Sequence, residues 1–230
     1  MTGFESKGRC SLCGGTFSKA GMTRHLEACI KRRMRPNDAK GEASVKLYHI
    51  RVEGRDFPEY WMHLLVRADA SLMELDHFLR AIWLECCGHL SAFTIHGDRY
   101  ASDPIEDLDE EDMDATICEV LSPGAEFFHE YDFGSTTELA LKVVSEYLGR
   151  PSSGEALVQL LARNEPPPLA CGVCGRPATH VCTQCIDRGE GWLCDECALG
   201  HECGEEMLLP VVNSPRVGIC GYTGEQATFV

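Results

Sequence analysis

The spacing of apolar residues divides the chain into strands, helices and breaks. VKLYHIRVEG (45–54) sets Tyr48, Ile50 and Val52 against His49, Arg51 and Glu53, the period-two pattern of a strand. YWMHLLVRA (60–68) reads as a second strand. SLMELDHFLRAIWLECCG (71–88) changes period: Leu75, Phe78, Leu79, Ile82, Trp83 and Cys86 fall on one helical face. Ser71 and Glu74 supply a capping box and Gly88 a stop. LSAFTIHG (90–97) predicts a third strand, TICEVLSPG a short helical turn and a break, and EFFHEYDFG and TTELALKVVSEY two antiparallel strands meeting at Gly134. Further on, Ser152 and Glu155 predict the start of a short helix carrying Leu157, Leu160 and Leu161 on one face, ended by Pro166–Pro168.

The expected fold class is therefore α+β. An antiparallel sheet packs on helices in residues 45–148, and 149–168 is a linker with a short helix. An N-terminal segment, 1–36, and a C-terminal one, 169–230, flank it and are distinguished by their cysteines. In the C-terminal segment CGVCGRPATHVCTQCIDRGEGWLCDECALGHEC holds three C-x2-C pairs, Cys171/Cys174, Cys182/Cys185 and Cys194/Cys197, followed by His201 and Cys203. Eight thiolate or imidazole donors suffice for two closed tetrahedral zinc sites. Sequential grouping would put the first two pairs on one ion. The interleaved grouping, Cys171, Cys174, Cys194 and Cys197 on one ion with Cys182, Cys185, His201 and Cys203 on the other, is the preferred reading. Cys220, in the glycine-rich turn GICGYTG, is an alternative to Cys203, and His180 reads as a solvated loop histidine.

Near the start, CSLCGGTFSKAGMTRHLEAC spaces Cys10, Cys13, His25 and Cys29 as C-x2-C-x11-H-x3-C. A helix places residues four apart on one face, so His25 and Cys29 converge. Phe17, Met22 and Leu26 stand where a small finger needs apolar residues. About three zinc ions are thus expected. With fourteen cysteines, a disulfide framework is the competing chemistry. The first residues have no apolar core of the signal-peptide kind, and the C-x2-C pairs favour zinc, so a cytoplasmic location is expected. Cys86 and Cys87 have no spaced partner and read as core or near-surface thiols.

Charge changes the picture of partners. The formal net charge is −15. Residues 1–35 hold eight Lys or Arg against two Glu, a surplus of six, so the rest of the chain carries −21. Lys31, Arg32, Arg33 and Arg35 would form a basic helix end able to contact phosphates. Residues 98–114 carry nine acids against Arg99 and lack the oxygen spacing of a calcium loop, so they read as a solvated acidic loop. No stretch is long and apolar enough for a membrane span. No nucleophile elbow, phosphate loop or H-E-x-x-H helix is present, so no catalytic residue is assigned.

Three resemblances accompany these residues. Residues 10–29 look like a ββα zinc finger of the CCHC type. The C-x2-C, C-x2-C and LCDECALGH run resembles a B-box or related cross-brace module. The helix followed by HLSAFTI and the YDFG hairpin at Tyr131–Gly134 resembles the plasmid pRiA-four-b ORF-three-like family, filed also as insertion-element passenger proteins of the TnpR label. That family's hairpin continues with Asp, Trp and His at alternate positions, where this chain has Ser135, Thr137 and Leu139. In this reading Asp132 is a turn residue and His129 a strand histidine facing solvent. The function expected is a non-enzymatic zinc-binding scaffold or adaptor that meets an unidentified protein partner through its terminal modules. The alternative is a nucleic-acid binder, for DNA or RNA, associated with a mobile element and using the basic N-terminal head.

Overall fold

The computed structural model describes residues 5–33, 44–149 and 156–224. These form two compact units. One comprises 1–78 with 90–165, and the other 79–89 with 166–230.

The first unit is mixed α/β and dominated by a ten-stranded sheet. In chain order its strands are β1 (Lys7–Cys10), β2 (Thr16–Ser18), β3 (Val45–Gly54), β4 (Trp61–Arg67), β5 (Ser91–Ile95), β6 (Asp98–Ala101), β7 (Glu110–Asp112), β8 (Glu126–Tyr131), β9 (Thr137–Gly149) and β10 (Val158–Asn164). Their spatial order is β2-β1-β10-β4-β3-β9-β8-β5-β6-β7, antiparallel except for the β6–β7 pair. Helix α1 (Lys19–Arg33) follows β2, so the N-terminal segment is a ββα unit. Helix α2 is Leu72–Leu79 and the single turn α3 is Ile117–Val120. Both helices start with reciprocal caps. Glu74 Oε2 accepts from Ser71 N at 2.7 Å, and Glu119 Oε2 from Thr116 N at 2.9 Å.

β10 corrects the expectation of a short helix at 149–168. Residues 158–164 are extended and lie between β1 and β4, pairing Val158 with Val66 and Cys10 with Ala162. The apolar spacing of Leu157, Leu160 and Leu161 suits a helix face. In the strand Val158, Leu161, Ala162 and Asn164 are buried while Gln159, Leu160 and Arg163 are half-buried, and a bulge between Leu160 and Ala162 breaks the alternation, which leaves an apolar spacing that imitates a helix face. Ser152 and Glu155, the expected cap, lie outside the described residues.

This insertion joins the ββα unit to the central sheet. Met22, Leu26 and Ile30 of α1 are buried with Leu47, Trp61, Leu65, Tyr147 and Leu161 in one cluster. Burying such a side chain is worth about 1.5–3 kcal/mol, so packing ties the ββα unit to the sheet. Trp61 anchors the seam: its backbone N–H donates to Asn164 Oδ1 at 3.0 Å and its Nε1 to Ser6 Oγ at 2.7 Å. A Cβ on Gly8 would lie 2.3 Å from the Arg163 carbonyl oxygen and 2.5 Å from the Trp61 ring, so only glycine permits that approach.

Two expectations about polar residues are also corrected. The acidic stretch 98–114 contains an edge rather than a plain loop: β6 and β7 pair in parallel, and Arg99 bonds Glu110 at 2.9 Å and Glu130 at 2.6 Å. Exposed Glu111 and Asp112 charge the outermost strand, which discourages edge-to-edge association. His129 does not face solvent. It shares a strand face with Phe127 and Tyr131, is fully buried, and places Nε2 2.7 Å from Oδ1 of buried Asp76 on α2. Asp132 is the expected turn residue, with φ 66° and Oδ1 accepting from Gly134 N and Ser135 N.

A second buried pair, His49 and His63, bridges β3 and β4 with 2.8 Å between Nε2 and Nδ1. Burial, reinforced by the Arg51 charge, depresses His49 to about 4. Burial, with the charges of His49, Arg51 and Lys19, depresses His63 to about 2. Unfolded histidine titrates near 6.5, so between that pH and about 4 the unfolded chain binds protons that the native pair refuses. Stability therefore falls as pH drops through this window, by up to about 1.4 kcal/mol per pH unit for each histidine. We expect denaturant melts at pH 7 and pH 5 to show a smaller acid loss in a His49→Leu/His63→Leu double variant than in the wild type, by about 2 kcal/mol per histidine. An unchanged acid loss would remove the pair from the account.

Candidate metal centres

Thirteen of the fourteen cysteines fall into four clusters, each with four donor atoms mutually within 4.8 Å; only Cys118 stands apart. All fourteen are free thiols. A tetrahedral zinc with Zn–S near 2.3 Å separates its sulfurs by about 3.8 Å, so a cluster of thiols at that spacing matches a metal site.

The first cluster, Cys10, Cys13, His25 and Cys29, is built by the ββα unit. Cys10 ends β1, and the turn that follows is closed by Gly14 N–H donating to the Cys10 carbonyl at 2.8 Å and Cys10 N–H to the Gly15 carbonyl at 2.9 Å. Gly14 takes φ 74°, which a side chain would resist. Cys13 then reaches His25 on α1, Sγ to Nε2 3.3 Å. Phe17 stacks on His25 at 3.9 Å and fixes the ring plane. Backbone donation from Gly15 lowers the Cys13 thiol, whereas burial and the neighbouring Cys10 raise Cys29 to about 11. Burial and the Arg32 charge lower His25, which favours the neutral imidazole that a metal needs.

The second unit carries the other three. Its three-stranded sheet is β11 (His180–Cys182), β12 (Trp192–Leu193) and β13 (Leu208–Pro210), in order β12-β11-β13, with α4 at Asp195–Ala198. The C-x2-C pairs interleave. Cys171 and Cys174 meet Cys194 and Cys197 at the start of α4, with Cys174 and Cys194 sulfurs 3.6 Å apart. Burial raises the Cys171 thiol, but backbone donors from Cys194, Cys174 and Val173 outweigh it and bring it to about 6. Arg176 Nε donates to Cys174 Sγ at 3.3 Å while its other nitrogens grip Glu196, both at 2.7 Å. A cation beside a four-thiolate site offsets part of its charge.

Cys182 and Cys185 leave the end of β11 and meet His201 and Cys203. Cys185 Sγ lies 3.6 Å from His201 Nε2 and 3.7 Å from Cys203 Sγ. The loop closes on Gly191, whose carbonyl accepts from Cys182 N–H at 2.9 Å at φ 105°. His180 stays outside, near Thr179 and Asp195.

Cys220 goes elsewhere. It does not substitute for Cys203: it joins Cys86, Cys87 and His89 in the fourth cluster, with its Sγ 3.2 Å from His89 Nε2 and 3.9 Å from Cys87 Sγ. Cys86 and Cys87 are thus members of a donor set, not incidental thiols. Four donors are gathered across more than 130 residues of chain, so no local spacing signals them. The clue in the sequence is a surplus of thiols: CCGH and the glycine-rich GICGYTG carry cysteines beyond the eight donors that the two interleaved sites need.

Of the basic head, Lys31, Arg32 and Arg33 form the last turn of α1 and are exposed; Arg35 lies outside the described residues. The donor sets of the first three clusters consist of thiols and imidazoles, four to each.

We expect Cys203→Ala to cost one zinc and to open Cys182 and Cys185 to alkylation, read by mass spectrometry of labelled peptides. Cys220→Ala should leave those two thiols protected. Labelling of Cys182 in the Cys220 variant would refute the grouping.

No family model matches the chain, and no curated protein matches it. Among solved structures the chain is similar to a protein of unknown function from Methanosarcina mazei Go1, at 16% identity, covering 52% of this chain and 69% of that one, with a TM-score of 0.45. A likeness at that level assigns neither family nor activity.

Proposed function

We propose that the protein is a zinc-held binding module, without turnover, that presents surfaces to other macromolecules. The observation that carries this reading lies beside the interleaved sites. Leu199, at the end of α4, is 92% exposed, and it borders a cleft of about 700 Å³ lined also by His180, Asp195, His201, Leu208 and Pro210. Val173, on the knuckle between Cys171 and Cys174, is 72% exposed. Large apolar side chains held out on a rigid, metal-braced frame are the usual anchors of a protein interface. Asp195 and Glu205 on the same cleft favour a partner segment that is apolar with basic flanks. Four protein donors per cluster fill a tetrahedral site, which supports structural zinc rather than an ion with an open position for substrate.

A partner captured by the full chain should bind Leu199→Lys about tenfold more weakly, about 1.4 kcal/mol, with the zinc content unchanged. Undiminished capture would discard the cleft as the contact surface.

The exposed run Lys31, Arg32 and Arg33 supports a second reading, contact with nucleic-acid phosphates. A low-salt gel shift should then be lost on changing Arg32, Arg33 and Arg35 to Glu; an undisturbed shift would sink this reading alone.

A further inference from the structure

The fourth cluster differs in kind from the other three. Each of those contains at least one buried cysteine: Cys10 and Cys29, Cys171 and Cys194, or Cys182. In the fourth none is buried. Cys87 and Cys220 are exposed, and Cys86 and His89 are half-buried. Its geometry nevertheless suits a tetrahedral metal. Cys86 and Cys87 sulfurs stand 3.6 Å apart and Cys87 and Cys220 3.9 Å, with His89 Nε2 3.0 Å from Cys87 and 3.2 Å from Cys220.

Two chain segments are shaped to deliver these donors. On one side α2 runs into a π-helical turn, Arg80–Leu84, closed by Glu85 N–H on the Arg80 carbonyl at 2.7 Å. Glu85 then turns extended and clamps the CCGH loop. One of its oxygens accepts from Gly88 N at 2.6 Å, and the other bonds Arg80 Nε at 2.8 Å. Gly88 sits at φ 79°. On the other side, Cys220 and Gly221 are both left-handed, at φ 46° and 69°, in a turn closed by Tyr222 N–H on the Ile219 carbonyl. A cysteine in that conformation is uncommon and costs energy. Ser214 Oγ donates to the Trp83 carbonyl at 2.6 Å, and buried Arg216 points Nη2 at Cys86 Sγ, 3.4 Å away. Three thiolates and an imidazole around a divalent ion carry one net negative charge, and a buried guanidinium alongside answers it.

We propose that Cys86, Cys87, His89 and Cys220 form a fourth zinc site that acts as a releasable clasp. Its ion fastens the 213–222 loop to the segment after α2, and its exposure lets this ion leave before those of the three closed sites. The inference rests on the zinc reading of the other clusters and adds a distinct ion with its own exchange behaviour.

Native mass spectrometry of the full chain should count four zinc ions, three in Cys87→Ser, and four in Cys118→Ser, a control at the one cysteine outside the clusters. On adding a chelating dye, one ion should leave in a separate, faster phase that is missing from Cys87→Ser. Release of that ion should speed tryptic cleavage after Arg216, which is otherwise buried. Should Cys87→Ser fail to fold, Cys220→His, which restores a four-ligand set, should still hold four ions. Three ions in the wild type, four in Cys87→Ser, three in Cys220→His, or a single release phase would overturn the clasp. A wild type holding no zinc would overturn the zinc reading itself.

Discussion

Crowded sulfur is the constraint around which this molecule is arranged. Thiols brought within a few ångströms of one another either bond or repel once ionised, and only a shared cation lets several thiolates occupy one site. Thirteen cysteines are held in that condition without a disulfide. The local backbone serves it. Glycines with positive φ close the knuckles after Cys10 and Cys171, backbone N–H groups aim at Cys171, and arginines stand against Cys174 and Cys86. The second unit has a three-stranded sheet and a single-turn helix α4, too little apolar burial to fix such loops by itself.

The ten-stranded sheet is stabilised differently. Its core is ordinary apolar packing, with a few buried polar pairs that the sheet must keep neutral or paired. His49 with His63 is a neutral couple joined by one N–H between the rings, and His129 with Asp76 links β8 to α2. Each fixes a register or a helix position at the cost of desolvation. Such pairs, unlike the clusters, lie away from solvent and have no open approach for a ligand.

How much of this could be read from the residues depended on whether the signal was local. The C-x2-C pairs, the H-x3-C helix and the capping boxes are short-range patterns, and they mark where donors gather at both ends of the chain. β3 is legible from its alternation, and β4, β5, β8 and β9 are legible as short apolar runs between turn residues. His129 could have been placed inside by the same logic, since Phe127 and Tyr131 share its parity. β10 could not: the bulge between Leu160 and Ala162 shifts the two-residue period midway, so neither half is long enough to show it. The fourth cluster was hidden for a different reason. Adjacent cysteines have none of the two-residue spacing that flags a knuckle, and their partner arrives from the far end of the chain.

The position of β10 has a consequence for how the chain can be cut. A boundary placed after residue 36 looks natural from the sequence, because the ββα unit with its own donor set lies before it. Removing it would strip β1 from β10, leaving the row of backbone groups at Ala162, Arg163 and Asn164 unpaired and uncovering Trp61, Leu65 and Leu161. Open and with apolar side chains beside it, that rim could pair with another strand, including its counterpart on another molecule. The shortened protein would thus clump instead of behaving as a tidy core, and the N-terminal finger is better regarded as the sheet's hem than as a detachable appendage.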